Sequence, residues 1–226
     1  MSLSKKVLSF ALAALMVTGL ASCSDNPASV TTDTSQTGAT EKLLASTGNE
    51  PSYSTAEESV SRFGKAVVVY FSCTGNTKEV ANKIASAAHC KTYEIVPSKP
   101  YTTEDLNYNN KKSRATKEQN DASARPEISG DITGWDSYDT VFLGYPIWFG
   151  KAPKIMYTFV ENHDFQGKKV IPFCTSGSSG IGSSAKDLSA LAKDSGKWIN
   201  GTRFSAAVKD KDISEWLNAL IDAGEI

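Results

Sequence analysis

The stretch Tyr70-Phe71-Ser72-Cys73-Thr74-Gly75-Asn76-Thr77 ends an apolar run that begins at Ala66 and opens a segment with helical spacing. A strand, a tight turn and a helix start therefore follow one another within a few residues. Backbone N–H groups at a helix start have no partner inside the helix and attract anions. Two chemistries compete for such a turn. Cys73 beside Gly75 and Asn76 suits a thiol nucleophile, whereas Ser72, Thr74, Gly75 and Thr77 suit a cradle that holds a phosphate without attacking it.

Outward from this stretch, apolar runs alternate with helical patterns. Ala66 to Phe71, Val141 to Tyr145 and Val170 to Phe173 are continuous apolar runs, as in strands buried on both faces. Tyr93 to Val96 alternates like an outer strand, and Trp198 to Phe204 supplies a fifth. Asn76 with Glu79 reads as a cap ahead of Val80, Ile84 and Ala88, and Pro153 suits a first helical position ahead of Ile155, Met156, Phe159 and Val160. Ser184 with Asp187, and Asp212 with Glu215, mark two further starts. Thr103 to Asp121 is polar nearly all round, with Leu106, Tyr108 and Ala115 to bury, and is assigned as a helix. Strict alternation predicts an α/β fold with five parallel strands, right-handed crossovers and helices on both faces. Ligands of such sheets bind at the carboxyl ends of the strands.

Three loops fall at that edge. Ser72 to Thr77 offers hydroxyls, a permissive glycine and a helix N-terminus, enough for a phosphate dianion without lysine or arginine. Pro146, Ile147, Trp148, Phe149 and Gly150 supply aromatic faces. Thr175, Ser176, Gly177, Ser178 and Gly180 form a loop whose backbone can approach a flat polar ring edge. Cradle, aromatic platform and hydrogen-bonding loop are what a flavin mononucleotide (FMN) site requires. Plainer readings exist: Trp148 and Phe149 as core aromatics, Gly177 to Gly182 as a simple turn, Cys73 as a bystander whose thiol plays no part.

In these residues the chain resembles the flavodoxins, whose phosphate loop reads S/T-x-T-G-x-T; Ser72, Thr74, Gly75 and Thr77 match it. YFSCTGNTKEVA, YDTVFLGYPIWFGKAPK and PFCTSGSSGIGSS resemble in particular the flavodoxin-like proteins of bacterial envelopes. The resemblance implies a three-layer sandwich of the short-chain type, strand order 2-1-3-4-5, with FMN as cofactor. Low-molecular-weight tyrosine phosphatases also place a cysteine after the first strand, but need an arginine six residues later to clamp phosphate. That position is Glu79, and no Asp-Pro pair supplies a general acid. P-loop NTPase and dinucleotide-fold glycine motifs are absent.

The rest of the chain adds compartment and class. Residues 1–23 read as a secretory signal: Lys5 and Lys6, an apolar run from Val7 to Leu20 shorter than the ~20 residues of a membrane-spanning helix, then Leu20-Ala21-Ser22-Cys23. That ending resembles a bacterial lipobox with Cys23 as the lipidated residue, which implies export to the cell envelope and a lipid anchor in a membrane. A buried amphipathic helix is the alternative, but the run has no polar face. Residues 24–63 are rich in Ser, Thr, Asn, Asp and Glu and read as a tether, leaving 64–226 as the flavodoxin-like domain. A net charge of -1 and a pI near 6.2 give no basic stripe for nucleic acid. Beyond Cys23, the three cysteines Cys73, Cys90 and Cys174 do not build a disulfide framework, and Cys90 reads as a small buried residue. His89 and His163 are isolated, with no metal-ligand spacing around them.

One-electron flavodoxins usually cover both ring faces with aromatics and surround the ring with acidic residues. Here Thr175 to Gly182 holds no aromatic, and Lys151 and Lys154, assigned to solvent, follow the aromatic loop. The expectation is an FMN-dependent reductase of a small acceptor such as a quinone, with a nicotinamide donor or a redox partner protein. A one-electron carrier and a non-catalytic flavin-binding lipoprotein are the alternatives.

Overall fold

The computed structural model describes residues 62–226 except Asp194. The signal segment, Cys23 and nearly all of the tether lie outside the described residues. Phe63 belongs to the core: it is buried and meets Phe142 edge-on at 5.8 Å, so the packed residues include at least one ahead of Gly64.

In chain order the elements are β1 (Ala66–Tyr70), α1 (Asn76–Ala87), β2 (Lys91–Glu94), β3 (Val96–Pro97), α2 (Arg114–Asn120), β4 (Ile128–Ser129), a 3-10 turn (Trp135–Ser137), β5 (Thr140–Pro146), α3 (Lys154–Asn162), β6 (Lys169–Thr175), α4 (Ser184–Leu191), β7 (Lys197–Trp198), β8 (Thr202–Phe204) and α5 (Asp210–Asp222). The main sheet is parallel, in the order β2-β1-β5-β6, with β7 and β8 both pairing with β6. Counted by position, this is the order expected from the sequence.

Successive side chains of a strand point to opposite faces, and β1 divides its apolar residues accordingly. Val67, Val69 and Phe71 enter one core with Leu143, Tyr145, Ile155, Phe159 and Leu188; Val68 and Tyr70 enter the other with Val80, Ile84, Phe142, Ile213 and Leu217. The first core lies under α3 and α4, the second under α1 and α5, which gives three layers. Gly144 in β5 is required by packing, because a Cβ there would stand 2.2 Å from Cζ of Phe173.

Four local expectations change. The fifth strand is split: β7 pairs with Lys169 and Val170, β8 with Phe173 to Thr175, and the chain leaves the sheet between them. Val170 O accepts from Ile199 N at 2.9 Å, so by strand alternation Pro172 would direct its N–H to the same neighbour, and proline has none. Gly201 crosses at this point, where a Cβ would meet Ile181 and Pro172. β2 starts at Lys91, and the chain then leaves the main sheet so that β3 pairs antiparallel with β4. Thr103 to Asp121 is a helix only from Arg114 to Asn120, capped by Ser113 Oγ accepting from Thr116 N at 3.3 Å. The polar residues before it form turns instead, since too few apolar side chains were present to hold a longer helix against a core. Helix starts also shift by one to three residues from the expected positions. Gly75 rather than Asn76 is the N-cap of α1, Pro153 occupies the N-cap of α3, and Asp212 lies inside α5, where its Oδ2 accepts from Lys209 N at 3.2 Å.

Gly144→Ala is expected to destabilise the protein by about 1–3 kcal/mol, the usual range for forcing volume into a packed core. Urea unfolding followed by far-ultraviolet circular dichroism measures it.

Candidate functional site

β1, β5 and β6 end side by side, and their three following loops open into a cleft of about 350 Å³. Its floor on one side is the β1–α1 turn. Gly75 adopts φ +88°, a left-handed conformation that glycine takes without steric cost and that turns the chain directly into α1. Among the described residues no side chain caps this helix, so its first N–H groups are open to an anion, with the positive end of the helix dipole behind them.

Ser72 carries the clearest sign of a ligand. Its Oγ is buried and has no hydrogen-bond partner among the described residues. Leaving a buried hydroxyl unpaired costs roughly 1–3 kcal/mol, and an oxygen-rich ligand at this turn would recover it. Thr77 is organised differently, its buried Oγ1 lying 2.8 Å from Oγ1 of Thr175, which ties the first loop to the third. Thr74 and Asn76 are exposed at the mouth.

Cys73 lines the cleft but is not a poised nucleophile. Burial pushes its thiol up to about 12, with Arg114 opposing the shift and Glu118 and Glu94 adding to it. Cys90 and Cys174 are raised to about 12 by burial in the same way.

Of the aromatic loop, Pro146, Ile147 and Trp148 line the cleft. Trp148 is buried and meets Phe71 at 5.6 Å and Tyr101 at 5.3 Å, both edge-on, so it serves the core and the cleft together. Gln119 of α2 holds this loop through Nε2, donating to Trp148 O at 3.0 Å and to Ala152 O at 3.2 Å. Phe149 and Gly150 stand outside the lining. They are the two central residues of a tight turn closed by Trp148 N to Lys151 O at 2.9 Å and Lys151 N to Trp148 O at 3.0 Å, with φ +50° and +77°.

Thr175, Ser176 and Gly177 line the third side, while Ser178 and Gly180 stand away from the lining, as does Gly75. Ser176 Oγ donates to Ser179 O within the loop. Arg203 of β8 braces it from below, Nη2 donating to Ser176 O and Gly177 O at 2.7 Å each. Arg203 was not expected at the site, nor were Leu106, Tyr108, Ser205 and Ala206, which complete the lining. A lone tyrosine in a polar segment was the available signal for Tyr108. The others are brought in by tertiary structure alone.

The charge around the cleft also differs from expectation. Lys154 is buried rather than solvated: its Nζ lies 4.4 Å from the Tyr157 ring centre, and burial, reinforced by Arg125 and Lys151, lowers its pKa. Among the described residues that line the cleft there is no carboxylate.

The fold and the site together define a known class. Residues 65–220 match the family model described as flavodoxin. The chain belongs to the flavodoxin family. Among solved structures it is similar to a protein of Bacteroides eggerthii designated a flavoprotein, at 43% identity and a TM-score of 0.65 over 69% of this chain and 96% of that one. A second such protein, from Bacteroides uniformis, is 39% identical, with a TM-score of 0.65 over 69% of this chain and 98% of that one. A Lactobacillus acidophilus flavoprotein determined in complex with FMN shares the fold at 22% identity and a TM-score of 0.52, covering 67% of this chain and 97% of that one. No functionally curated protein matched the chain.

Two outcomes are expected from this geometry. Arg203→Ala, which removes two charge-assisted hydrogen bonds from the third loop, should cost about 1.5–3 kcal/mol of stability, read by denaturant unfolding. Cys73 should react with iodoacetamide no faster at pH 7.5 than a free thiol, with its rate still rising above pH 9, followed by mass spectrometry of the modified peptide.

Proposed function

We propose that the protein binds FMN in this cleft and acts as a flavin-dependent reductase of a small acceptor such as a quinone. The observation that carries the reading is Ser72 Oγ, without a partner among the described residues, beside a helix N-terminus that none of them caps, in a family built around flavin. The donors fit a phosphate: hydroxyls and backbone N–H groups at the strand end, with the helix dipole in place of a side-chain cation. Ser72, Thr74 and Asn76 would hold the phosphate, with Thr77 fixed behind them by Thr175. Ile147 and Trp148 would flank the ring, and Ser176 and Gly177 would meet its polar edge. When bound, the flavin supplies the redox chemistry, and the chain supplies binding and orientation.

A lining without carboxylates supports a reductase over a one-electron carrier, because acidic surrounds disfavour anionic reduced flavin and none is present among these residues. A nicotinamide or a redox protein would be the electron donor. Through Cys23 the domain would be anchored in a membrane of the bacterial envelope, exported on its signal segment.

The protein purified from its host should show flavin absorption bands, and heat should release FMN. Ser72→Ala should weaken FMN binding about tenfold, the loss of one hydrogen bond to a charged group, without lowering the stability of the flavin-free protein. Titration by fluorescence quenching reads the first effect and thermal unfolding the second. Anaerobic bleaching of the visible bands by NADH or NADPH tests the nicotinamide donor; failure of both rejects that donor, leaving flavin binding intact and a redox protein as the source of electrons.

A further inference from the structure

Three large hydrophobic side chains are exposed among the described residues: Val96, Tyr108 and Phe149. Two of them, Tyr108 at 50% and Phe149 at 48% exposure, pack on each other with ring centres 5.1 Å apart and planes inclined by 54°. They come from segments 41 residues apart in the chain, and Tyr108 lines the cleft.

The backbone under Phe149 makes this placement informative. A two-residue turn with positive φ at both central positions favours Asn-Gly or Gly-Gly, and the second position here is indeed Gly150. The first is a phenylalanine at φ +50°, where a bulky side chain is strained. Asparagine would close the same turn more comfortably and would not expose a ring to water. The core gains little from Phe149, since its ring stays half in solvent, so the fold does not account for the choice. Strain retained together with an exposed apolar face at a cleft mouth marks a contact made with something else.

We infer that Tyr108 and Phe149 form a docking pair for the planar conjugated ring of the second substrate, a quinone or a nicotinamide, at the mouth of the cleft. The inference rests on the flavin reading of the cleft and deepens it, by naming the residues that select the reaction partner. Aromatic side chains favour flat rings by offset or edge-on contact, and two of them at an angle orient such a ring without needing charge. Trp148, buried beneath, is thereby left to the cleft interior, and the two roles of the aromatic loop separate between neighbouring residues.

The test measures binding without turnover, using the oxidised FMN-loaded protein, which has no electrons to give. Oxidised menadione and, separately, NAD+ are titrated while the flavin spectrum and tyrosine fluorescence are followed. Tyr108→Ala and Phe149→Asn should each raise the dissociation constant of one of these probes by about threefold to tenfold, the range of a lost aromatic contact. Phe149→Tyr should restore it. FMN affinity should change less than threefold in Phe149→Asn, and the melting temperature of that variant should hold or rise as the turn relaxes. The probe affected identifies the source of the ring. Unchanged affinity for both probes in both variants overturns the inference, as does the absence of any probe binding to the native protein. A tenfold loss of FMN affinity in Phe149→Asn also overturns it, by making Phe149 a flavin contact. Failure of the flavin reading shows separately, as no FMN uptake by the native protein, and takes this inference with it.

Discussion

The hydroxyl pair of Thr77 and Thr175 is the constraint on which the site depends. Two oxygens 2.8 Å apart, buried between the first turn of α1 and the end of β6, fix the distance between the first and third loops. β5 ends between those loops, so the same contact sets where Pro146 and Ile147 emerge. A buried hydroxyl pair is directional and costly to break, because each partner would be left without a substitute for water. The sheet brings three strand ends to one edge; this contact sets the spacing between their loops.

Around that constraint the polar groups divide into those that are satisfied internally and those that are not. Thr77, Thr175, Gln119 Nε2 and Arg203 all hold protein atoms and give the loops their shape. Among the described residues, Ser72 Oγ, Gln119 Oε1 and the first N–H groups of α1 hold none. A buried, shaped and partly unsatisfied set of donors is costly for folding alone, and its concentration at the ligand edge of a parallel sheet is the physical content of the functional reading.

The sequence made part of this legible. β1, β5 and β6 are apolar on both faces and so appear as uninterrupted runs, and the turn from Ser72 to Thr77 is contiguous, so its hydroxyls and glycine can be read together. Arg203 could not be read in that way, because its role depends on β8 lying beneath a loop 26 residues earlier. Lys154 reads as solvated because it follows Lys151 by three residues in a loop-like stretch, whereas the helix start at Pro153 turns it over Tyr157. The segment before Arg114 lost its helix because local polarity gave no face to pack, yet it supplies Leu106 and Tyr108 to the cleft. Helix starts moved by one to three residues because capping competes with tertiary geometry: Gly75 displaced Asn76 where the backbone needed a left-handed residue.

The break at Pro172 has a consequence for how copies of the chain meet. A long bare strand margin is a template on which another molecule can extend the sheet. On the β6 side that margin consists of a two-residue and a three-residue piece with an excursion between them, and on the other side β2 is four residues long and begins with a lysine. Among the described residues one rim is interrupted and the other is short and opens on a charge, so a neighbouring copy meets no long ladder on which to extend the sheet.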